Sequence, residues 1–114
     1  MAGVEAFELA LRRLGLVAET HGPIVVVKVN VPVGSFAGST VSAGTDPPPD
    51  FPRVPPHWLH LPEHINLPGG GKNPSELGAG WAKWSRPHKR WHGGESAASQ
   101  WIAQVRTLLS VAIT

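Results

Sequence analysis

A helical pattern of apolar residues marks the start of the chain. Apolar side chains recur at intervals of three or four residues: Val4, Phe7, Leu11 and Leu14. This spacing places them on one face of an α-helix, and it predicts an amphipathic helix over residues 3–14. Gly15 follows directly and is predicted to end the helix, because glycine adopts the left-handed conformation of a helix C-terminus without steric cost.

Valines that alternate with other residues follow this helix. Valine occupies five successive odd-numbered positions: Val25, Val27, Val29, Val31 and Val33. A period of two is typical of a β-strand, so a strand is predicted here. Pro32 indicates that it ends at that point or lies at an edge, because proline cannot donate to a ladder. Weaker patterns predict strands at 16–21 and 39–43, with a turn at 21–23.

Residues 44–74 are rich in residue types that resist regular structure, with nine prolines and four glycines. The same stretch has an apolar content that a solvated linker does not need: Phe51, Trp58, Leu59, Leu61 and Ile65. We therefore expect an ordered, proline-stiffened loop packed against the sheet. Its most mobile point is predicted at the three glycines of 69–71.

The C-terminal segment again has a helical pattern. Its apolar stripe consists of Trp101, Val105, Leu108 and Ala112, which predicts a helix over 96–112 with Ser96 as its N-cap. The order of elements is helix, strands, proline-rich loop, tryptophan-rich segment and helix. This order predicts a single α+β domain, 1–114, in which the helices pack on an antiparallel sheet.

Length and composition narrow the class of protein. A chain of 114 residues is long enough for one domain and too short for two. It has no cysteine, which excludes disulfides, thiolate zinc sites and a thiol nucleophile. Glu5 and Glu8 lie where the apolar part of an export signal would be, so a cytoplasmic location is expected. A net charge of +2 is too small to indicate nucleic-acid binding by itself.

Two motifs resemble a known family. The sequence Phe-Pro-Arg-Val-Pro-Pro at 51–56 is similar to the aromatic-Pro-x-x-Pro-Pro signature of ubiquitin-conjugating enzymes. The segment 81–88, Trp-x-x-Trp-Ser-Arg-Pro-His, resembles the Trp-x-x-Trp-Ser-Arg-His segment of a bacterial branch of that superfamily. The chain resembles this branch over residues 3–112.

The resemblance implies a fold and a function. The implied fold is a compact ubiquitin-conjugating-like one, with an N-terminal helix, a short antiparallel meander, a proline-rich loop and a C-terminal helix. The implied function is to accept the C-terminus of a ubiquitin-like modifier from an activating-type adenylating enzyme and to transfer it to a target. A deconjugating peptidase is a further implied partner, and no cofactor is expected.

The chain departs from this family at its reactive centre. The usual nucleophile of the family is cysteine, which is missing here, and the family's His-Pro-Asn has only a partial match in the sequence His-Ile-Asn at 64–66. Two alternatives follow from this. Either the protein is a non-catalytic adaptor that binds the modifier or the activating enzyme, or another side chain replaces the thiol.

Serine is the natural substitute, because its hydroxyl forms an oxyester where a thiol forms a thioester. A serine hydroxyl needs a neighbouring base and a site for the oxyanion. We predict Ser85 as the nucleophile and His88, three residues later, as its base. Arg86 lies between them and is predicted to hold a carboxylate or the oxyanion. The alternative is that Ser85 only caps a turn and His88 is a surface residue.

Ser75 is the competing nucleophile. It lies nine residues after Asn66, close to the spacing that the family has between its asparagine and its cysteine. The segment 72–76 is also typical of a helix start, with Ser75 at the N-cap. Because capping explains this serine without any chemistry, it ranks behind Ser85.

Three histidines have a spacing that metal ligands use in a helix: His57, His60 and His64. Three prolines, at 55, 56 and 62, disfavour a continuous helix there. Few carboxylates lie nearby, and no cysteine is available. We therefore predict no metal site.

Basic and aromatic residues are interleaved in the segment 81–92. We expect a partner to bind its exposed side chains: Trp81, Lys83, Trp84, Lys89 and Arg90. An acidic face of a partner protein would complement these cations. Single-stranded nucleic acid is the rival partner, since phosphates need cations and bases need aromatic platforms. The third possibility is that the tryptophans pack on the sheet while the cations face water.

Overall fold

Six strands form one antiparallel sheet in the computed structural model, which describes residues 3–114. The elements in chain order are α1 (Gly3–Arg13), β1 (Ala18–His21), β2 (Ile24–Asn30), β3 (Thr40–Thr45), β4 (Trp58–Pro62), β5 (Lys72–Pro74), β6 (Trp81–Ser85) and α2 (Ala97–Ser110). The strand order across the sheet is β1-β2-β3-β4-β6-β5. The predicted α+β class, with a helix at each end of the chain, is confirmed. Among the described residues, no helix combines the length and the apolar character needed to cross a membrane.

Both helices pack on the same face of the sheet and against each other. The ring of Phe7 on α1 meets the ring of Trp101 on α2 edge-on, with centroids 5.1 Å apart. Phe51 completes this aromatic cluster with a second edge-on contact to Phe7 at 5.1 Å. The alternating valines of β2 lie beneath the helices and are buried. We call this side of the sheet the helix face and the opposite side the outer face.

The ends of the predicted elements follow local backbone preferences. Helix α1 stops at Arg13, and Gly15 adopts a positive φ of 81°, as predicted from its residue type. Strand β2 stops at Asn30, before Pro32, so the valine alternation extends further than the strand does. Val33, the last of the alternating valines, is 58% exposed.

The segment 44–74, predicted as one proline-rich loop, contains two strands, and this prediction was wrong in part. β4 and β5 both lie within it, and β3 extends to Thr45. The prolines flank the strands rather than interrupt them. Pro62 is the last residue of β4, and Pro74 lies on β5, an edge strand where a missing N–H costs no ladder hydrogen bond.

Candidate functional site

Strand β6 distributes the tryptophan-rich segment between the two faces of the sheet. Ala82 and Trp84 are buried in the hydrophobic core, whereas Trp81, Lys83 and Ser85 are partly exposed. This alternation follows from the period of two in a strand. Trp84, which was expected to contact a partner, is 2% exposed and packs inside the domain.

Ser85 lies at the end of β6 and contacts a histidine that directly precedes β4. Its Oγ is 2.5 Å from Nε2 of His57. The sheet register brings the two together, because Trp58 pairs with Ser85 and the N–H of Arg86 donates to the carbonyl of His57 at 3.1 Å. The ring of His57 is exposed. The structure therefore supplies Ser85 with a possible proton acceptor, and this acceptor is not the predicted His88.

His88, the predicted base of Ser85, packs on an aromatic ring near this pair. Its ring packs on Trp91 with centroids 5.0 Å apart, and it lines the same small cavity as His57 and Arg86. Burial lowers the pKa of His88 below its usual value, and the nearby charge of His57 lowers this pKa further. This lowered pKa favours the neutral form of His88 and makes it a weaker proton acceptor than an exposed histidine.

The guanidinium of Arg86 is bound to backbone carbonyls. It donates to the carbonyl of Ser85 at 2.7 Å and to those of Pro68 and Gly70, each at 2.8 Å. It also lies 5.5 Å from the ring centroid of Trp84. Arg86 therefore ties the glycine turn at 68–71 to the end of β6. These contacts use the donors that were predicted to hold a carboxylate or the oxyanion.

A second serine–histidine pair lies on the outer face. Nδ1 of His60 is 2.7 Å from Oγ of Ser75, and Nε2 of His60 is 2.5 Å from Oδ1 of Asp46. The three side chains form a continuous chain from carboxylate through imidazole to hydroxyl. His60 is fully buried, so both of its ring nitrogens need partners, and these two residues provide them.

The sheet makes room for this imidazole. His60 pairs with Gly44 of β3, and a Cβ at Gly44 would lie 3.2 Å from the side chain of Val26 and 3.4 Å from Cβ of His60. Ser75 follows β5 in a turn, where its Oγ accepts the N–H of Leu77 at 3.0 Å. The helix start that was predicted around Ser75 is absent from the described residues, since 72–74 form a strand.

Two charged residues lie beside the Asp46–His60–Ser75 chain. Nζ of Lys83 is 2.7 Å from Oε2 of Glu76, and it sits 4.5 Å from the ring centroid of Trp58. The hydrogen bond from Lys83 lowers the pKa of Glu76. Donor atoms of Asp46, His60 and Glu76 lie within 4.8 Å of one another, a separation that a metal ion could bridge. Since His60 already uses both nitrogens and Glu76 is paired with Lys83, the cluster fits a hydrogen-bond relay better than a cation site.

The three histidines that were considered as metal ligands have separate environments. His57 contacts Ser85, and His60 contacts Ser75 and Asp46. His64 packs against Phe36, with ring centroids 6.2 Å apart. The sequence reasoning treated His57 and His60 as metal candidates and missed Asp46. One signal in the sequence pointed to His60, because it is the single polar residue in the apolar run Trp-Leu-His-Leu at 58–61.

The basic segment beyond β6 is attached to the proline motif. Nε1 of Trp91 donates to the carbonyl of Pro52 at 2.9 Å, and the ring of Trp91 lies 6.1 Å from that of Phe51. Lys89 and Arg90 are exposed next to this contact. The predicted partner-binding residues are thus divided, with Trp81 and Lys83 on β6 and Lys89 and Arg90 beyond its end.

Comparison with known proteins found no family model, no curated protein and no solved structure that matches this chain. The site is therefore interpreted from its own geometry. The motif at 51–56 contacts Trp91, three residues beyond the motif at 81–88, through the carbonyl of Pro52.

Proposed function

We propose that this protein carries the C-terminal acyl group of a ubiquitin-like modifier as an oxyester on Ser85 and transfers it to an amine of a target. The observation that supports this proposal is the 2.5 Å contact between the Ser85 hydroxyl and the imidazole of His57. A serine is a weak nucleophile unless a positioned base accepts its proton, and His57 is in position to do so. The two motifs similar to ubiquitin-conjugating enzymes provide the class of substrate.

The chemistry requires two acyl-transfer steps. In the first, Oγ of Ser85 forms a bond to the modifier's C-terminal carbonyl carbon, His57 accepts the hydroxyl proton, and the bond to the activating enzyme's leaving group breaks as that group takes the proton from His57. In the second, an amine of the target attacks the oxyester, His57 accepts the proton that the amine loses, an amide forms, and the serine oxygen takes this proton from His57 as its bond to the carbonyl carbon breaks. The histidine thus acts first as base and then as acid in each step.

The surface beyond the end of β6 suits an acidic partner. Lys89 and Arg90 are exposed, and Arg86 beside them has its guanidinium bound to backbone carbonyls. Cations at such a rim raise the rate of association with a negatively charged surface. We assign this surface to the activating enzyme or to the modifier, the two partners that the reaction requires.

The test is formation of a covalent adduct. Incubation with an activating-type enzyme, its ubiquitin-like modifier and ATP is expected to give a species that resists thiol reductant and is cleaved by alkali or hydroxylamine. Ser85→Ala should abolish this species. His57→Gln should slow its formation roughly 10²–10⁴-fold, the usual contribution of a general base. Ser99→Ala, which changes an exposed serine on α2, serves as the matched control and should retain the adduct.

Three outcomes would contradict the assignment. Loss of the adduct in Ser75→Ala together with its retention in Ser85→Ala would transfer the acceptor role to Ser75. An amide on lysine, which survives hydroxylamine, would exclude a serine carrier. If the protein binds the modifier or the activating enzyme and forms no adduct, it is a non-catalytic adaptor, and carrier activity is excluded.

A further inference from the structure

We propose that Asp46, His60 and Ser75 form a second nucleophilic site, which hydrolyses small uncharged carboxylic esters. This activity is independent of the acyl transfer proposed for Ser85 and needs neither an activating enzyme nor a modifier. The proposal rests on three features of the structure. They are the direction of the hydrogen bonds through His60, the cleft beside Ser75, and the separation of this cleft from Ser85.

The hydrogen bonds through His60 determine which of its nitrogens carries the proton. The carboxylate of Asp46 can only accept a hydrogen bond, so Nε2 of His60, 2.5 Å away, is the protonated nitrogen. Nδ1 then presents its lone pair to Oγ of Ser75, 2.7 Å away, and accepts the hydroxyl proton. This is the relay of a serine hydrolase with the two imidazole nitrogens exchanged. Either nitrogen of a neutral imidazole can act as the base, so the exchange does not prevent the chemistry.

Burial holds the relay in one arrangement. His60 is fully buried between strands, and Gly44 leaves the space that its ring occupies. The N–H of Leu77 donates to Oγ of Ser75 at 3.0 Å, which directs the hydroxyl hydrogen toward the imidazole instead of that amide. A base and a nucleophile that are already positioned lose little entropy on reaching the transition state.

Ser75, at one end of the relay, borders an open cleft. Pro74, Ser75, Gly78, Gly80 and Trp81 contribute to its lining. Gly78 and Gly80 have φ values of 95° and 88°, a conformation that favours glycine, and the only side chain between them is the methyl group of Ala79. The turn therefore leaves the side of Ser75 open to a small molecule, while Trp81 offers an apolar surface for its acyl or aryl group.

The two lysines beside the cleft already have partners within the protein. Nζ of Lys72 donates to the carbonyl of Glu63 at 3.0 Å and to Oδ1 of Asn66 at 2.9 Å, and Lys83 is paired with Glu76. A negatively charged substrate would have to displace these contacts, and it would also meet the exposed carboxylate of Glu63, which lines the cleft. An uncharged ester fits the cleft without doing so, and this sets the substrate class.

The cleft is separate from Ser85. Ser75 directly follows Pro74, which pairs with Ala82 near the start of β6, whereas Ser85 is the last residue of that strand. The three residue steps from Ala82 to Ser85 span about 10 Å of strand. The two serines also use different histidines, so each site can be inactivated without removing the other's base.

The reaction balances without any cofactor. Oγ of Ser75 bonds to the ester carbonyl carbon, and its proton passes to Nδ1 of His60. The bond to the alcohol oxygen breaks, and the alcohol leaves with that proton. Water then adds to the acyl-serine carbon while His60 accepts one of its protons, the carboxylic acid departs, and Ser75 recovers its hydrogen.

The experiment uses the full chain with a fluorophosphonate probe and with p-nitrophenyl acetate. The probe is expected to modify the peptide that contains Ser75, and ester turnover should exceed that of the buffer. Ser75→Ala should abolish both signals. Asp46→Asn should slow labelling roughly 10²–10⁴-fold, because an amide no longer fixes the imidazole tautomer. Ser99→Ala is the matched control and should keep both signals.

Circular dichroism of each variant distinguishes the loss of a reactive side chain from misfolding, and NMR tests the position of the proton on His60. In the unmodified protein, ¹⁵N NMR is expected to find the proton of His60 on Nε2. A proton on Nδ1 would overturn the proposal, as would labelling that persists in a folded Ser75→Ala variant. Equal labelling rates in Asp46→Asn and the unmodified chain would also overturn it. None of these three results affects Ser85, because its adduct is measured with an activating enzyme and a modifier.

Discussion

Two histidines that lie three residues apart serve different serines. His57 contacts Ser85, while His60 contacts Ser75. His60 lies within β4, whereas His57 precedes the first residue of that strand and contacts the end of β6. The spacing that would make them neighbours on a helix therefore separates them here. The serine that each imidazole contacts therefore depends on where the histidine lies relative to the strand, and the spacing in the sequence does not predict it.

The lowered pKa of His88 predicts a pH-dependent stability. Burial, followed by the proximity of His57, lowers this pKa from its ordinary value of 6.5. The unfolded chain therefore binds a proton at His88 at a pH where the folded chain does not, and the free energy of unfolding falls as the pH drops below 6.5. The contribution continues to fall until the pH reaches the folded-state pKa.

We expect His88→Gln to reduce this loss, because an amide does not titrate. Urea denaturation from about pH 7 to about pH 5 measures the slope. His92→Gln, at an exposed histidine of the same segment, is the matched control and should leave the slope unchanged. Equal slopes in His88→Gln and the unmodified protein would contradict the prediction.

At the scale of elements, the end of β6 acts as an anchor for the glycine turn. Arg86 reaches the carbonyls of Pro68 and Gly70 while also donating to that of Ser85. A fork of several N–H groups is a property of arginine that lysine lacks. The glycine turn, predicted from the sequence as the most mobile point, is thus tethered by a side chain distant in the sequence.

Arg86→Lys is expected to release this turn. Amide hydrogens of residues 69–72 should exchange faster with solvent, and the free energy of unfolding should fall by about 1–2 kcal/mol from lost hydrogen bonds. Hydrogen-exchange mass spectrometry and urea denaturation provide the two measurements. Arg90→Lys, at an exposed position, is the control. Unchanged exchange at 69–72 in Arg86→Lys would argue against the tether.

Some helices and strands could be predicted from the sequence, and others could not. The valines of β2 alternate, and both helices have apolar stripes, so periodicity alone predicted them. β4 was missed because it lies in the segment 44–74, whose prolines indicate a loop. β5 has three residues that are all exposed, and no hydrophobic pattern can exist in such a strand.

The two candidate sites depend on which strands pair and in which register. The spacing of residues along the sequence does not reveal this pairing. Ser85 and His57 are 28 residues apart, and Asp46, His60 and Ser75 come from three different parts of the sheet. The sequence identified both serines as possible nucleophiles from motif position. It could not identify their bases, because these depend on the register of β4 against β6 and on the turn after β5.

At the scale of the whole molecule, the distribution of charges disfavours nucleic acid as the main partner. Of the residues expected to form a stacking and phosphate-binding surface, Trp84 is buried, Lys83 is paired with Glu76, and Arg86 binds carbonyls. Single-stranded nucleic-acid binding requires exposed aromatic platforms together with cations that are free to meet phosphates. The exposed Lys89 and Arg90 provide only part of this requirement.

We therefore expect weak binding of single-stranded oligonucleotides, with a Kd above about 10 μM. Fluorescence anisotropy at moderate salt measures this affinity. Sub-micromolar binding that is lost in the double variant Lys89→Ala/Arg90→Ala would contradict the expectation and would favour a nucleic-acid partner. Lys28→Ala, at an exposed position on β2, is the matched control for a general change in charge.

The two edges of the sheet also govern how copies of this protein behave at high concentration. β5 is a three-residue edge that ends in Pro74, and β1, the other edge, carries the exposed ionisable side chains of Glu19 and His21. A short edge, a proline and charged side chains are devices that prevent a foreign strand from joining a sheet. Strand-by-strand growth into fibrils is therefore blocked at both sides, and the valine-rich interior can be strongly β-forming without making the folded protein prone to aggregate.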